Sequence, residues 1–202
     1  MSLVRMRRAP DDEVRMRRRR FAVARWSAVG IVALAVVLIA VLATRPPTSE
    51  QVAASPLVGK PAPPLSGPLL TGGRGVRLAA YRGRWVLVNF FASWCTVCQE
   101  EEPQLEKFLY SRPNGAHPAV LGVLYGDTRS DGVRFQRSEG ATWPSISDPG
   151  GRIAADWGVA SLPRSYLVAP DGRVVAAILG GITASQLDRL LAKKAAQGAG
   201  GR

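Results

Sequence analysis

The chain has 202 residues, a formal net charge of +12 and only two cysteines. Half of that charge lies in residues 1–25, which contain nine arginines and three acidic residues, so the basicity says little about the folded part. Two cysteines that lie three positions apart cannot join distant parts of a chain. This excludes the several-disulfide framework on which many small secreted domains depend.

Residues 26–43 are predicted to form a transmembrane anchor, because eighteen consecutive residues carry no charge. A helix of that length spans about 27 Å, close to the hydrocarbon thickness of a bilayer. The arginine excess before this segment predicts that residues 1–25 form a cytosolic tail. We therefore expect a single-pass protein of the cell membrane whose later residues are extracytoplasmic.

Two other interpretations of this N-terminal region remain open. Val41-Leu42-Ala43 resembles the cleavage site of a secretory signal peptide, although the apolar core of such peptides is usually shorter, about 7–15 residues. Both the anchor and the cleaved signal send the following domain across the membrane. The arginine run at 17–20 could bind nucleic acid, but a charge run beside a membrane span usually sets topology. No nucleic-acid partner is therefore expected.

Residues 44–56 are predicted to be a linker that is rich in Pro, Ala and Ser. The segment 57–196 has the length of a single folded domain. Residues 197–202 are rich in Gly and Ala and are predicted to be a flexible tail.

The first half of the domain alternates apolar runs with helical patterns. Residues 85–91 form a short run of apolar, β-branched and aromatic residues, typical of a buried central strand. A helix is predicted from just after Cys95 to about Tyr110, and Glu100, Glu101 and Glu102 would suit its positive N-terminal end. The next predicted elements are a strand at 119–125 and helices at 131–139 and 153–157.

The second half begins with a hairpin. Strands are predicted at 165–169 and 174–179, because the turn sequence Pro-Asp-Gly-Arg lies between them. A closing helix is predicted at 183–196, where Thr183 and Gln186 match a capping box. Its apolar stripe consists of Leu187, Leu190 and Leu191. The order β-α-β-α, hairpin, helix indicates an α/β fold with a mixed central sheet flanked by helices, as the thioredoxin fold requires.

The two cysteines lie in the sequence Cys95-Thr96-Val97-Cys98, at the predicted junction of strand and helix. One helical turn brings their sulfurs close enough for a disulfide. The helix N-terminus favours the thiolate of Cys95, which is the attacking species in thiol–disulfide exchange. The more sheltered Cys98 is suited to resolve the mixed disulfide. Half of a zinc site would look similar, but zinc needs four ligands and His117 is the only histidine. No metal and no cofactor are therefore expected.

Three segments resemble the TlpA/ResA/DsbE group of membrane-anchored thioredoxin-like thiol:disulfide oxidoreductases. They are GKPAPPL, WVLVNFFASWCTVCQEEEPQL and DWGVASLPRSYLVAPDGRV, and the last resembles the DsbE branch, which acts in cytochrome c maturation. The resemblance extends from about Leu57 to Leu191. It implies a thioredoxin-like fold after one transmembrane helix.

This resemblance also implies roles for individual residues. Cys95 would be the nucleophile and Cys98 the resolving thiol of one redox-active disulfide, with Trp94 flanking it. Leu162-Pro163 would form a cis bend at which the backbone of residue 162 pairs with an incoming peptide. From sequence alone, Pro163 would otherwise be an ordinary trans loop proline.

Glu101, in the pattern CxxCxxExP completed by Pro103, resembles the active-site glutamate that exchanges a proton with the resolving cysteine. The plainer interpretation is that three consecutive glutamates only decorate a helix N-terminus. Asn89 occupies the strand position at which thioredoxins carry a buried acid, and this favours Glu101 as the proton carrier.

Two features depart from the family pattern. The dipeptide between the cysteines is Thr96-Val97, where relatives commonly have a proline, and this dipeptide tunes the reduction potential. Arg164 follows Pro163 where the DsbE branch usually has an acid. A cation beside the disulfide would favour the reduced state and change the preferred substrate.

The leading functional hypothesis is an extracytoplasmic protein-disulfide reductase. Its substrate would be the CxxCH motif of apocytochrome c, and a membrane thiol transporter would donate the electrons. The same chemistry in reverse would make it a disulfide-forming oxidase or isomerase for secreted proteins. A non-catalytic binding module with a structural disulfide is a third possibility. Copper delivery would need a further histidine and wider cysteine spacing, and a thiol peroxidase would need activating residues ahead of the cysteine.

Overall fold

The computed structural model describes residues 30–31, 33–37, 53–110 and 118–199. The predicted basic tail, most of the predicted anchor and most of the predicted linker lie outside these residues. Residues 30–31 and 33–37 are helical. Within the described ranges, none of the helices has both the length and the apolar character that crossing a membrane requires. The chain divides into two compact units between Ser49 and Glu50, and the strands of the described residues lie in the unit from Glu50 onwards.

The strands of this unit form two sheets. In chain order the strands are β1 (Ser66–Gly67), β2 (Val76–Arg77), β3 (Val86–Phe91), β4 (Ala119–Tyr125), β5 (Ser145–Asp148), β6 (Arg164–Val168) and β7 (Val174–Leu179). β1 and β2 form an antiparallel pair, and the other five have the order β5-β4-β3-β6-β7. β3, β4 and β5 are parallel, whereas β6 and β7 run antiparallel to their neighbours. The predicted mixed central sheet is therefore confirmed.

Four helices and one 3-10 turn accompany the sheets in the described part of the unit. The turn is Leu78–Tyr81, and the helices are α1 (Thr96–Tyr110), α2 (Arg129–Glu139), α3 (Arg152–Asp156) and α4 (Ala184–Ala199). The predicted capping box is present, since Thr183 N donates to Gln186 Oε1 at 2.8 Å and Gln186 N donates to Thr183 Oγ1 at 3.4 Å. α4 continues three residues past its predicted end, through Gln197, Gly198 and Ala199, although glycine propagates a helix poorly.

The core lies on both faces of β3, whose six residues are all buried. Alternate residues of a strand face opposite sides. Phe90 packs with Trp157 and Tyr166 on one face, with ring centroids 5.8 and 6.1 Å from its own. Leu87 packs on the other face with apolar side chains of α1 and α4, namely Leu105, Phe108, Leu187, Leu190 and Leu191. Burial of each large apolar side chain contributes about 1.5–3 kcal/mol, so this double-sided packing fixes β3 as the centre of the fold.

Three strands, β1, β2 and β5, were not predicted from the sequence. β5 has the sequence Ser-Ile-Ser-Asp, with a single apolar residue, and so lacks the pattern of a buried strand. It forms because β4 supplies a parallel partner and because Leu69 bridges to Ile146 from the β1–β2 hairpin. β1 and β2 have two residues each, too few for any periodic signal.

Candidate redox site

The cysteines lie where the interior strand β3 ends and α1 begins. Phe90, near the end of β3, pairs with Arg164 at the start of the antiparallel strand β6. The residue before Arg164 is Pro163, so the sheet brings the proline bend and the cysteine turn to the same edge. β3 has a neighbouring strand on each side. The position of the cysteine turn is therefore fixed by the packed interior of the sheet and not by a surface loop.

Cys95 and Cys98 form a disulfide, and their Cα atoms are 5.2 Å apart. Cys95 is 7% exposed and Cys98 is 1% exposed. The backbone N–H of Cys98 donates to Cys95 Sγ at 3.2 Å, and the Cys95 carbonyl accepts from the N–H groups of Cys98 and Gln99. A donor aimed at the sulfur of Cys95 stabilises negative charge there. The geometry therefore suits an attacking Cys95 and a sheltered Cys98.

The loop after β4 holds the turn that precedes the cysteines. Trp94 Nε1 donates to the Gly126 carbonyl at 3.0 Å, and Ser93 N donates to Asp127 Oδ2 at 2.7 Å. Gln99 of α1 closes the turn from the other side, since its Nε2 donates to the Ser93 carbonyl at 2.8 Å. Sequence reasoning missed Asp127. Its position directly after a buried strand that is parallel to β3 was the available signal. Trp94 itself remains 63% exposed beside the disulfide.

The Leu162–Pro163 peptide bond is cis, as predicted. Pro163 is buried, and its carbonyl accepts a hydrogen bond from Gly180 N at 3.0 Å. Leu162 is half-buried and packs against the apolar cluster that contains Cys95 and Cys98. The structure thus brings the bend and the disulfide together.

Arg164 contacts an aromatic side chain of the core. Its guanidinium carbon lies 5.3 Å from the centroid of the Tyr166 ring, and Nε donates to the Tyr166 hydroxyl at 3.3 Å. Tyr166 belongs to the core cluster of Phe90 and Trp157, and the cysteines belong to another. The cation therefore has an aromatic partner of its own, and its effect on the reduction potential stays a prediction.

Glu101 is buried and held by two donors. It is 3% exposed, Asn89 Nδ2 donates to its Oε2 at 2.9 Å, and Ile182 N donates to its Oε1 at 3.1 Å. The same Asn89 amide also donates to Ser165 Oγ at 2.9 Å. Burial raises the pKa of Glu101 to about 7, although both hydrogen bonds act to lower it. A titrating acid therefore lies one helical turn beyond Cys98.

The helix-dipole interpretation of the three glutamates is wrong. α1 begins at Thr96, and its first turn contains no acidic residue. Glu100 is exposed, whereas Glu101 and Glu102 are buried. The sequence did not distinguish these neighbours because its pattern gives no sign of which glutamates face the core. In the described ranges, His, Cys, Asp and Glu side chains form no group of three or more that could hold a metal ion.

Known proteins share both the sequence and the fold. The model of the AhpC/TSA family matches residues 58–177. The thiol:disulfide interchange protein CycY of Rhizobium leguminosarum is 37% identical over 98 residues, which are 48% of this chain and half of the length of CycY. The thiol-disulfide oxidoreductase ResA of Bacillus thuringiensis is 31% identical over 121 residues, 60% of this chain and 69% of ResA.

A solved structure supports the same relation. The thioredoxin domain of a thiol-disulfide oxidoreductase from Bacteroides vulgatus superposes with a TM-score of 0.61 at 25% identity. The superposition covers 69% of this chain and 98% of that domain. Taken with the disulfide at the start of α1, these relations show that the chain belongs to the AhpC/TSA family and is a thioredoxin-like thiol-disulfide oxidoreductase.

Proposed function

We propose that the chain is an extracytoplasmic reductase that opens the disulfide of the CxxCH motif in apocytochrome c, so that haem can be attached. The observation that carries the redox role is the arrangement of Cys95, Cys98 and Glu101 on successive turns at the end of β3. The resemblance of residues 156–174 to the DsbE branch supports the substrate. A membrane thiol transporter would return the electrons.

The reaction uses two exchanges. The Cys95 thiolate attacks the substrate disulfide, a Cys95–substrate disulfide forms, and one substrate sulfur leaves as a thiolate that takes a proton from water. Cys98 then gives its proton to the Glu101 carboxylate. The Cys98 thiolate attacks Cys95 Sγ, which forms the Cys95–Cys98 disulfide and releases the second substrate thiolate. Two electrons pass from the protein to the substrate in each cycle.

The surface around the disulfide suits an extended peptide. We propose that the backbone of Leu162, ahead of the cis bond and Pro163, pairs with the peptide that carries the substrate disulfide. Trp94, which directly precedes Cys95 in the chain, offers an exposed aromatic side chain. Arg164 would affect substrate specificity indirectly, through the position of the Tyr166 side chain that it contacts.

A trapping experiment tests mechanism and substrate together. Cys98→Ser leaves the attacking thiolate and removes the release step, so covalent adducts with natural partners should accumulate and dissolve in reducing agent. The matched control, Cys95→Ser, should trap nothing. Adducts with apocytochromes c and with a polytopic thiol transporter would support the proposal. Adducts with assorted multi-cysteine secreted proteins would instead favour an oxidase or isomerase.

The direction of exchange has a test of its own, the reduction potential of the Cys95–Cys98 pair. A reductase requires a potential below that of its substrate disulfide. A potential close to those of strongly oxidising family members would contradict the reductase and favour disulfide formation in secreted proteins.

The extracytoplasmic location rests on the arginine asymmetry around residues 26–43. A membrane-impermeant thiol reagent added to intact cells should label the reduced protein, which should remain in the membrane fraction. Labelling only after lysis would contradict the proposed topology. A soluble product that lacks residues 1–43 would replace the anchor with a cleaved signal.

A further inference from the structure

A cavity of about 290 Å³ lies at the end of the central sheet that is opposite to the disulfide. Its floor is apolar, since four buried residues of the core line it, namely Leu65, Leu78, Val86 and Val168. Val86 is the first residue of β3, and the cysteine turn follows the last, so about 17 Å of strand separates the cavity from the redox site. The proposed disulfide exchange gives this cavity no role.

The charged side chains that line the cavity are all basic. They are Arg77 at the end of β2, and Arg82 and Arg84 just after the 3-10 turn. Among the described residues that line it, none is acidic. The sequence around them is similarly one-sided, because residues 51–99 contain no Asp and no Glu. The cavity therefore combines an apolar floor with a concentration of positive charge.

Two of these arginines have defined partners beside the cavity. The guanidinium of Arg82 packs where a Cβ on Gly172 would lie, and its Nη1 donates to the Asp171 carbonyl. Gly172 has a φ of +81°, which side chains rarely adopt, so this space is left to the arginine. The guanidinium carbon of Arg84 lies 5.9 Å from the centroid of the Tyr81 ring, which also lines the cavity. Each guanidinium has five N–H donors, so the bond to Asp171 leaves Arg82 with donors for a ligand.

We propose that this cavity binds a small phosphate monoester, whose phosphate contacts the three arginines and whose organic part lies against the apolar floor. Planar guanidinium groups match phosphate oxygens with paired hydrogen bonds. A monoester suits three cations better than a carboxylate does, because it has three terminal oxygens and a charge of about −1.5 to −2 at neutral pH. The volume is at the lower end of the range of about 300–1,000 Å³ for ligand pockets, which favours a small ligand.

This chemistry has two sources, the head of phosphatidate in a membrane and a free ester such as glycerol 3-phosphate. The test follows the modification of individual arginines by phenylglyoxal, with mass spectrometry, in the oxidised full-length protein in neutral detergent. Saturating glycerol 3-phosphate should slow the modification of Arg77 and Arg82 at least fivefold. The second arm adds phosphatidate to the micelles, with phosphatidylcholine as its control. Arg134 and Arg152 are internal controls, since their side chains are 75% and 76% exposed on α2 and α3, and their rates should not change.

Two substitutions separate a built cavity from general surface charge. Ala79→Trp fills the cavity at an exposed position that lines it, keeps every arginine and should abolish the protection of Arg82. Arg77→Gln should raise the concentration for half-protection of Arg82 about tenfold, because it removes a charge-assisted contact. Arg134→Gln, the matched loss of a distant cation, should leave that concentration unchanged.

The two arms give results that either support or overturn the inference. Protection by the free ester alone, or by phosphatidate alone, supports the cavity as a phosphate site and identifies the source of the ligand. Protection by neither probe would overturn the inference. So would equal protection of Arg134, or full protection of Arg82 in the Ala79→Trp protein.

Discussion

The buried glutamates of α1 predict that the oxidised protein becomes less stable as pH rises from 5 to 8. In the folded state the pKa of Glu102 is raised from 4.5 to about 8, and that of Glu101 from 4.5 to about 7. Between the unfolded and folded values, the folded protein binds more protons than the unfolded chain. Stability conferred by the protonated groups is therefore complete below about pH 4.5 and is lost as pH rises through 7 and 8.

The size of this effect follows from the shifts. A difference of one pKa unit between the two states corresponds to about 1.4 kcal/mol, so a carboxyl whose pKa rises from 4.5 to about 7 or about 8 contributes on the order of 3–5 kcal/mol. Because the two carboxyls are coupled, their contributions do not add fully. A loss of about 3 kcal/mol between pH 5 and pH 8 is a large share of the 5–15 kcal/mol typical of a domain.

The assay is denaturant unfolding of the oxidised full-length protein in detergent, at several pH values between 5 and 8. Glu102→Gln should reduce the fall in the free energy of unfolding with pH, because a neutral amide does not titrate. The other titrating groups are common to the variant and the wild type, so their contribution cancels when the two are compared. The exposed neighbour offers a control, since Glu100→Gln should keep the full decline. Equal slopes in the wild type and Glu102→Gln, or a wild type that gains stability towards pH 8, would refute the reasoning.

Two further substitutions test the packing and the site. Gly132→Ala should destabilise the protein by about 1–3 kcal/mol in chemical denaturation, because its Cβ would lie 2.4 Å from a methyl of Leu124. Gly150→Ala has open space around its Cβ and should change the stability little; equal losses would contradict the packing argument. Asn89→Ala removes a donor that lowers the pKa of Glu101, so the pH midpoint of disulfide exchange should move upward. A downward or absent shift would count against Glu101 as the proton carrier.

The central elements could be predicted from sequence because each has a strong local signal. β3 is a continuous apolar run, the β6–β7 hairpin has a Pro-Asp-Gly turn, and α4 begins with a capping box. β5 has no such signal, since only Ile146 among its four residues is apolar. Its pairing with β4 and its contact with Leu69 are tertiary interactions that no window of sequence contains.

In the redox site, too, some features have a local sequence signal and others depend on tertiary interactions. The cysteine spacing and the resemblance around Pro163 were sufficient to predict the disulfide pair and the cis bond. Burial of Glu102 could not be predicted, because charged residues are rarely buried and the run of three glutamates was interpreted as decorating the helix N-terminus. The contact between Arg164 and Tyr166 was equally hidden, since it depends on which face of the sheet the arginine side chain meets.

The central claim is that Cys95 attacks and Cys98 resolves, and alkylation of single-cysteine proteins tests it most directly. The rate of reaction with a small thiol reagent would be measured against pH for reduced Cys98→Ser and reduced Cys95→Ser. Cys95 lies at the helix start, faces the Cys98 N–H and is the more exposed sulfur, so it should react faster at neutral pH. A faster reaction of Cys98 at neutral pH would contradict the assignment.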